Sequence, residues 1–245
     1  MILEINSVTK KFGGLPVINK LSFSVAEGQI KSVIGPNGAG KTTLFNLISG
    51  AYSPDRGQII FKGQRINGLT PDKICRLGLA RSFQITNIFQ GLSVFENIRL
   101  SIQGQTKKLG ILKSVHQSNS HEEETQEILE MIGLWNNQGK IAGNLSHGDQ
   151  RHLEIGIALA SRPFLLLLDE PTAGMNMSES RATIELIKGF RGKVSMLIIE
   201  HDINLVLAVS DEIAVLQNGE LLCEGDPETV RNDKMVQKAY LGEEI

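Results

Sequence analysis

The sequence predicts an α/β protein in which a smaller helical segment interrupts a strand-containing core. Short apolar runs typical of strands occur within the first 66 residues and return after residue 160. Between about residues 90 and 160 the apolar residues follow helical spacing instead. The chain length of 245 residues allows one large or two small domains, with a core that needs no disulfide. Strands and helices that alternate around a helical insertion predict an α/β core with a helical subdomain.

Composition and charge exclude several classes of protein. Lys and Arg together number 25 and Asp and Glu 27, and this balance disfavours a dedicated nucleic-acid binder. Cys75 and Cys223 lie far apart in the sequence, which predicts a reducing compartment with neither a zinc site nor a disulfide framework. The longest strongly apolar run, residues 164–168, is too short to span a membrane, and no signal peptide is expected. We therefore expect any membrane association to depend on a partner.

The first part of the chain contains strands, one glycine-rich turn and one helix. Leu21, Phe23 and Val25 alternate with smaller or polar residues, which predicts a half-buried strand. Residues 30–34 form a short buried strand that runs into a glycine-rich turn. An amphipathic helix then begins at Lys41 and ends near Gly50, and another strand is expected within residues 57–66, with its apolar part at 58–61.

The middle and last parts of the chain give a second set of expectations. The polar stretch from Gln103 to Glu124 predicts a surface loop. Glu122–Glu124 could form an acidic patch for a partner, but we favour the first turn of a helix that continues through Ile128. Strands return at residues 164–168, 195–199 and 213–216, and Asn218-Gly219 predicts a hairpin into residues 220–223.

A glycine-rich segment at residues 35–42 fits the phosphate-loop pattern G-x-x-x-x-G-K-[ST]. The strand before it and the helix after it favour this interpretation over an ordinary glycine-rich turn. Backbone N–H groups of such a loop wrap phosphate oxygens, and the helix N-terminus adds a favourable partial charge. Lys41 would then reach the β- and γ-phosphates, the Thr42 hydroxyl would bind Mg²⁺, and Thr43 would meet the α-phosphate. The loop alone predicts only that a nucleoside triphosphate binds, and the predicted binding residues are Gly35, Pro36, Asn37, Gly38, Ala39, Gly40, Lys41, Thr42 and Thr43.

Two adjacent carboxylates follow the buried strand near residue 165. Asp169 and Glu170 should lie at the edge of the sheet where ligands bind in open α/β folds. Successive strand residues point in opposite directions, so the two side chains should have different roles. Asp169 would hold Mg²⁺, directly or through water, and Glu170 would orient and deprotonate the attacking water. The alternative is a polar strand end that only caps a turn, and the phosphate loop makes it less favoured.

A third motif starts a helix at Ser146. Ser146 and Asp149 fit a capping box, and Gly148 leaves the helix N-terminus open to an anion. The order of the phosphate loop, this serine–glycine motif and the Asp-Glu strand resembles the ATP-binding-cassette (ABC) ATPases. In that family the serine–glycine motif completes the ATP site of a second subunit. The resemblance implies that Ser146 and Gly148 contact ATP across a dimer.

The resemblance covers nearly the whole chain and implies further roles. Phe12 would stack on adenine, although an ordinary core phenylalanine is the alternative. Gln84 would sense Mg²⁺ and the attacking water, and it also leads into the surface that contacts a permease. His201, which follows the strand at 195–199, would contact the γ-phosphate, although a lone histidine is more often structural. The implied catalytic residues are Glu170, His201, Gln84 and Lys41, and the implied Mg²⁺ residues are Thr42, Gln84 and Asp169.

Three positions depart from the usual family pattern. His147 replaces the first glycine of the serine–glycine–glycine motif, and Asp149 replaces a glutamine. Ser146 and Gly148 are retained, so phosphate contact is expected to survive. Asn176 stands where the family carries an aspartate between subunits, which weakens the transfer of that coupling role.

The resemblance also implies an architecture and a set of partners. It implies one ATPase domain over residues 1–245, with a P-loop NTPase core at about 1–88 and 161–245. An N-terminal antiparallel β-subdomain and a helical subdomain at about 89–160 complete that architecture. Residues 78–84, 92–97, 152–156 and 199–202, with the C-terminal 224–227 and 239–242, are similar to uptake ATPases for branched-chain amino acids. The implied protein is the larger of two related ATPases, docked from the cytoplasmic face on two permeases that an extracytoplasmic binding protein supplies.

Several alternatives remain open at the level of the sequence. Uptake ATPases for urea and short-chain amides share the same features. A non-transport cassette ATPase, such as an iron–sulfur assembly subunit, is a second alternative. A nucleic-acid or ribosome accessory is less favoured, because one phosphate loop is present where those proteins usually carry two cassettes. The sequence leaves open whether the second ATPase subunit is identical or a sister chain.

Overall fold

The computed structural model describes residues 1–82, 88–105 and 115–241. They divide into two compact units. The first contains Met1–Arg81, Phe164–Pro171 and Ile187–Ile245, and the second contains Ser82–Pro163 and Thr172–Leu186. The strands, all in the first unit, are β1 (Leu3–Phe12), β2 (Leu15–Val25), β3 (Ile30–Ile34), β4 (Arg56–Phe61), β5 (Gln64–Arg65), β6 (Leu79–Arg81), β7 (Leu165–Asp169), β8 (Ser195–Ile199), β9 (Glu212–Gln217) and β10 (Glu220–Gly225).

The helices are distributed over both units. The first unit contains α1 (Lys41–Ile48), α2 (Pro71–Arg76), α7 (Ile203–Val209), α8 (Pro227–Asn232) and α9 (Lys234–Leu241). The second contains α3 (Val94–Gln105), α4 (Val115–Met131) and α5 (His147–Leu159), and it takes nearly all of α6 (Met177–Gly189). None of the described helices is both long enough and apolar enough to cross a bilayer.

An antiparallel sheet in the order β2-β1-β4-β5 contains the N-terminal strands. Leu3, Ile5 and Val8 on β1 are fully buried, while the side chains between them are at least partly exposed. This alternation is typical of a sheet with one face on the core. The predicted half-buried strand at 21–25 is therefore confirmed as the end of the longer β2.

A second sheet has the order β10-β9-β3-β8-β7-β6. Its strands are parallel except β10, which pairs antiparallel with β9 across the predicted Asn218-Gly219 turn. Every residue of β3, β7 and β8 is buried, as is typical of parallel strands that are covered on both faces. Because they are parallel, their carboxyl ends lie at one edge of the sheet, and this edge carries the candidate site.

The second unit packs its helices closely around one glycine. A Cβ on Gly156 of α5 would lie 2.6 Å from Ile132 Cδ1 and 3.0 Å from Ile98 Cδ1. Ile128 and Leu129 of α4 are also buried. The absence of a side chain at Gly156 thus allows α5 to approach α3 and the segment that follows α4.

The expectation of a loop over residues 103–124 is wrong for all of its described residues, 103–105 and 115–124. Helix α3 continues to Gln105, and α4 already begins at Val115. Glu122–Glu124 are consequently not in the first turn of a helix, and that expectation is also wrong. Once the buried part of α4 around Ile128 is formed, each added residue gains one backbone hydrogen bond, and Glu and Gln favour helix.

Candidate active site

The glycine-rich loop lies between β3 and α1, as predicted. Gly40 has φ 101°, and a Cβ at this residue would lie 2.7 Å from both the Ile18 Cδ1 and the Val17 carbonyl oxygen. A Cβ on Gly35 would lie 2.3 Å from the Leu216 carbonyl oxygen. The loop is thus held tightly against β2 and β9, and side chains at these two positions would push it away from them.

Lys41 lies inside the loop that it follows. Its Nζ donates to the carbonyl oxygens of Gly35 at 2.6 Å and Pro36 at 3.1 Å, and the residue is 6% exposed. Burial lowers the pKa of Lys41, while the nearby carboxylates of Glu170 and Asp169 act in the opposite direction. The tertiary structure therefore brings the loop lysine and both carboxylates to one place. Thr42, at the start of α1, is exposed, and Thr43 is half-buried.

The two carboxylates at the end of β7 have different partners, as the alternation of strand side chains predicts. Asp169 is fully buried, and its Oδ2 accepts a hydrogen bond from Arg81 Nη2 at 2.9 Å. Glu170 instead places Oε1 2.8 Å from Nε2 of His201. Glu170, which follows β7, and His201, which lies just beyond β8, are thus in direct contact.

Glu170 also has an unusual backbone conformation. Its φ is 47°, in the left-handed region that non-glycine residues seldom adopt. Its N–H donates to the Ile199 carbonyl oxygen at 2.8 Å, so pairing with the end of β8 holds it there. Such a conformation costs on the order of 1–3 kcal/mol and persists only where the surroundings enforce it. The Glu170 side chain is therefore directed toward His201 by the backbone as well as by its hydrogen bond.

Arg81 is a site residue for which sequence reasoning assigned no role. It ends β6, and it also donates to Asn46 Oδ1 at 2.7 Å and Ser49 Oγ at 3.2 Å. It thus connects the end of α1 to the Asp169 carboxylate. The only signal in the sequence was an arginine at the end of a short strand, and the pairing of β6 with β7 decides its partner.

Phe12 is not a core residue, which removes the alternative interpretation of this position. Its side chain is 42% exposed. The ring packs edge-on against Tyr52 with centroids 5.3 Å apart, and Lys10 Nζ lies 5.5 Å from its centroid. An exposed aromatic face is therefore available at the end of β1. Tyr52 was not recognised from the sequence.

The serine–glycine motif starts a helix in the second unit, as predicted. Ser146 is the N-cap of α5, and its hydroxyl accepts a hydrogen bond from the Asp149 N–H at 3.1 Å. The N–H of Gly148 donates to Glu179 Oε1 at 3.2 Å. Glu179 is another residue that sequence reasoning missed. Gln84, predicted to sense Mg²⁺ and water, lies outside the described residues.

The donor set in the first unit suits Mg²⁺, a hard cation that prefers oxygen ligands and often uses only one or two protein groups beside phosphates. Asp169 supplies a carboxylate at the sheet edge, and Thr42 supplies an exposed hydroxyl at the helix start. These two residue types fit the ion that the sequence predicted.

Comparison with known proteins defines the class. Residues 18–173 match the family described as ABC transporter, and residues 220–245 match the branched-chain amino acid ATP-binding cassette transporter family. The chain therefore belongs to the ABC transporter family, and its fold is that of an ATP-binding cassette. The predicted fold class is confirmed, and the chain is a nucleotide-binding ATPase by family.

Named relatives make the comparison more specific. The chain is 39% identical to the high-affinity branched-chain amino acid transport ATP-binding protein LivG of Escherichia coli K12, covering 99% of this chain and 98% of that protein. It is also 39% identical to the corresponding protein BraF of Pseudomonas aeruginosa, with the same coverage. A probable LivG of Archaeoglobus fulgidus is 36% identical over 98% of this chain and 95% of the relative.

Solved structures agree with the fold. The ADP conformation of MJ1267, an ATP-binding cassette of an ABC transporter, matches with a TM-score of 0.85 and 30% identity over 99% of both chains. A dimeric post-hydrolysis state of the cassette MJ0796, bound to ADP and Pi, matches with a TM-score of 0.77 and 25% identity over 92% of this chain and 98% of that chain.

Proposed function

We propose that this chain is the ATP-hydrolysing subunit of an ABC importer for branched-chain amino acids. The observation that carries the ATPase part is that the adjacent parallel strands β3, β8 and β7 bring the Lys41 loop, His201 and the Asp169–Glu170 pair to one sheet edge, where His201 contacts Glu170. A phosphate-binding lysine, a carboxylate for Mg²⁺ and a carboxylate beside an imidazole are the groups that phosphoryl transfer to water needs.

The proposed reaction is hydrolysis of the terminal phosphoryl bond of ATP. Glu170 accepts a proton from the attacking water as its oxygen bonds to the γ-phosphorus, and the bond to ADP breaks. Lys41 stabilises the charge on the phosphates, and His201 contacts the γ-phosphate. Thr42 and Asp169 would hold Mg²⁺, which supplies further charge stabilisation when bound. Gln84 is assigned to this site by the resemblance alone, and Phe12 to adenine stacking.

The proposed coupling is a clamp of two ATPase subunits arranged head to tail. Each ATP lies between the phosphate loop of one subunit and the Ser146–Gly148 helix start of the other. Binding closes the clamp and moves the permeases, and hydrolysis reopens it. The second ATPase is a sister or identical chain. The dimeric structure of the cassette MJ0796, whose fold is similar, supports the pairing of two such subunits.

The transported class follows from the most specific similarities. The C-terminal family match and the names of LivG and BraF support branched-chain amino acids. They do not favour urea or short-chain amides, nor iron–sulfur assembly or nucleic acid. The assembly we propose contains permeases in the membrane, this chain on their cytoplasmic side, and an extracytoplasmic solute-binding protein as an indirect partner.

The test is recovery of the assembly, followed by transport. Tagged chain is purified from gently solubilised native membranes, and the proteins that accompany it are identified. Two polytopic permeases and a second ATPase are expected. Vesicles that contain the recovered assembly, with its binding protein, should then take up labelled leucine when ATP is supplied to the cytoplasmic side. Soluble scaffold proteins without a permease, or uptake of urea but not leucine, would contradict the proposal.

A further inference from the structure

Glu179 connects the starts of two helices in the second unit. Its Oε2 accepts from the N–H of Asn176 at 3.2 Å, and its Oε1 accepts from the N–H of Gly148 at 3.2 Å. Asn176 in turn caps α6, because its Oδ1 accepts from the N–H groups of Ser178 at 2.9 Å and Glu179 at 3.1 Å. One carboxylate thus satisfies a donor at the start of α5 and another at the start of α6.

The contact between Glu179 and the start of α5 is close. A Cβ on Gly148 would lie 2.9 Å from Cγ and 3.0 Å from Cβ of Glu179, so a larger residue at 148 would displace the carboxylate. Hydrogen bonds from the amides of Asn176 and Gly148, with smaller contributions from Ser146 and His147, lower the pKa of Glu179. Glu179 therefore carries a full negative charge at neutral pH, directly against the N-terminus of α5.

Under the proposed function, a second anion binds at the same N-terminus of α5. There Ser146 and the N–H of Gly148 receive the γ-phosphate of the partner subunit's ATP. One amide hydrogen cannot make a full hydrogen bond to two acceptors. Two anions within contact distance at one helix start also repel each other, and a γ-phosphate carries more charge than a carboxylate.

We infer that Glu179 is a positioning residue that occupies the Gly148 amide in the separated subunit and yields it to the partner's γ-phosphate when the dimer forms. This inference depends on the proposed function, because it takes Ser146 and Gly148 as the phosphate contact in trans. Displacement of Oε1 breaks the contact with Gly148 and leaves the contact of Oε2 with the Asn176 amide in place. ATP in one subunit thereby alters the contacts of the Asn176 segment in the other.

The test measures ATP-driven association with and without the charge on residue 179. The reference carries Glu170→Gln, which is expected to bind ATP without hydrolysing it at a normal rate. It is studied together with the second ATPase subunit that is recovered from membranes. Glu179→Gln in that background keeps the shape of the side chain and one acceptor oxygen, but it replaces the other oxygen with an NH2 donor and removes the charge that opposes phosphate. Charge-assisted hydrogen bonds are about twice as strong as neutral ones, so we expect the ATP-dependent dimerisation constant to tighten about three- to ten-fold. Sedimentation in the presence and absence of Mg-ATP measures it.

Two further variants separate this role from simple helix capping. Glu123→Gln makes the same charge change at an exposed position of α4 and should leave association unchanged. Glu179→Ala removes both caps and should lower the melting temperature, whereas Glu179→Gln keeps one acceptor oxygen and should lower it less. A capping role alone predicts that Glu179→Gln associates no more tightly than the reference, and that result would overturn the inference.

The outcomes also separate this inference from the proposed function. ATP-driven association of the reference with no tightening by Glu179→Gln rejects the role of Glu179 and leaves the ATPase assignment intact. No ATP-driven association of the reference contradicts the composite site itself, and the inference with it. Equal tightening by Glu123→Gln would show a general charge effect and would also reject the role of Glu179.

Discussion

At the scale of single residues, the site depends on contacts between pairs of side chains of opposite or complementary character. Glu170 contacts His201 at 2.8 Å, and Asp169 contacts Arg81 at 2.9 Å, although Glu170 and Asp169 are neighbours in the chain. The contact of Asp169 pairs a buried carboxylate with a guanidinium, whereas the contact of Glu170 orients a carboxylate that remains partly exposed. Their different surroundings support the different roles proposed for them.

Replacement of the proposed general base should separate binding from turnover. Glu170→Gln keeps the shape and the hydrogen bond to His201 but cannot accept the proton of water. We expect ATP binding to be retained and steady-state hydrolysis to fall by roughly 10²–10⁴-fold, the contribution typical of a general base. Equilibrium binding of ATP and release of phosphate measure the two quantities. Near-normal hydrolysis, or lost binding, would contradict the role of Glu170.

Replacement of the loop lysine should have the opposite pattern. Lys41→Ala removes charge-assisted hydrogen bonds of about 1.5–3 kcal/mol each to the phosphates, so ATP affinity should fall at least ten-fold. Titration with ATP, compared with an otherwise identical titration of the unaltered chain, measures the loss. Unchanged affinity would show that Lys41 remains with the carbonyl oxygens of Gly35 and Pro36 in the bound state.

Removal of Arg81 should destabilise the fold. Arg81→Ala removes the ion pair between Arg81 and Asp169, whose side chain is 1% exposed. Breaking a buried ion pair from one side costs about 3–5 kcal/mol of unfolding free energy. Urea unfolding measures this loss for Arg81→Ala and for the double variant that also carries Asp169→Asn. The double variant should recover part of the lost free energy, because its amide is neutral. A small loss in the single variant would contradict this role.

At the scale of elements, the site is positioned by parallel strands, and the second unit by helix packing. The strands β3, β7 and β8 end at the same sheet edge, so the phosphate loop, Glu170 and His201 meet there although they are far apart in sequence. In the second unit, the approach of helices depends on Gly156. The functional side chains are therefore positioned by the pairing of whole strands, and the helices of the second unit by close packing.

Overpacking at Gly156 should weaken the second unit. Gly156→Val places methyl groups against Ile132 and Ile98, and an extra methylene or two in a packed core costs about 1–3 kcal/mol. Gly104→Ala is the matched control, since nothing lies within 4 Å of a Cβ there and helix propensity favours Ala. Unfolding free energies measure both. Equal stability of Gly156→Val and the unaltered chain would show that α5 can move away at little cost.

At the scale of the whole molecule, binding of nucleotide should appear as added stability. A ligand that binds only the native state stabilises it by about 2.7 kcal/mol at a hundred times its dissociation constant. For a chain of this size that corresponds to a rise in melting temperature of about 5–10 °C. Mg-ATP added to Glu170→Gln, which retains the ligand, should show this rise, and Lys41→Ala should not at the same concentration. An equal rise in both variants would place the nucleotide elsewhere.

The sequence by itself determined the features that depend on neighbouring residues. The phosphate loop, the N-cap at Ser146, the hairpin at Asn218-Gly219 and the strand that ends in Asp169 all follow from local patterns, since turns and caps are made by residues a few positions apart. The start of α4 was missed, because its polar N-terminal turns carry no periodic apolar signal.

Only the tertiary structure decided which distant residues meet. Arg81 and Asp169 are 88 positions apart, and Gly148 and Glu179 are 31 apart, so neither contact leaves a local trace in the sequence. The first depends on the pairing of β6 with β7, and the second on the packing of α5 against α6. Strand order and helix packing are set by burial of the whole core, and they therefore place side chains that no short motif can relate.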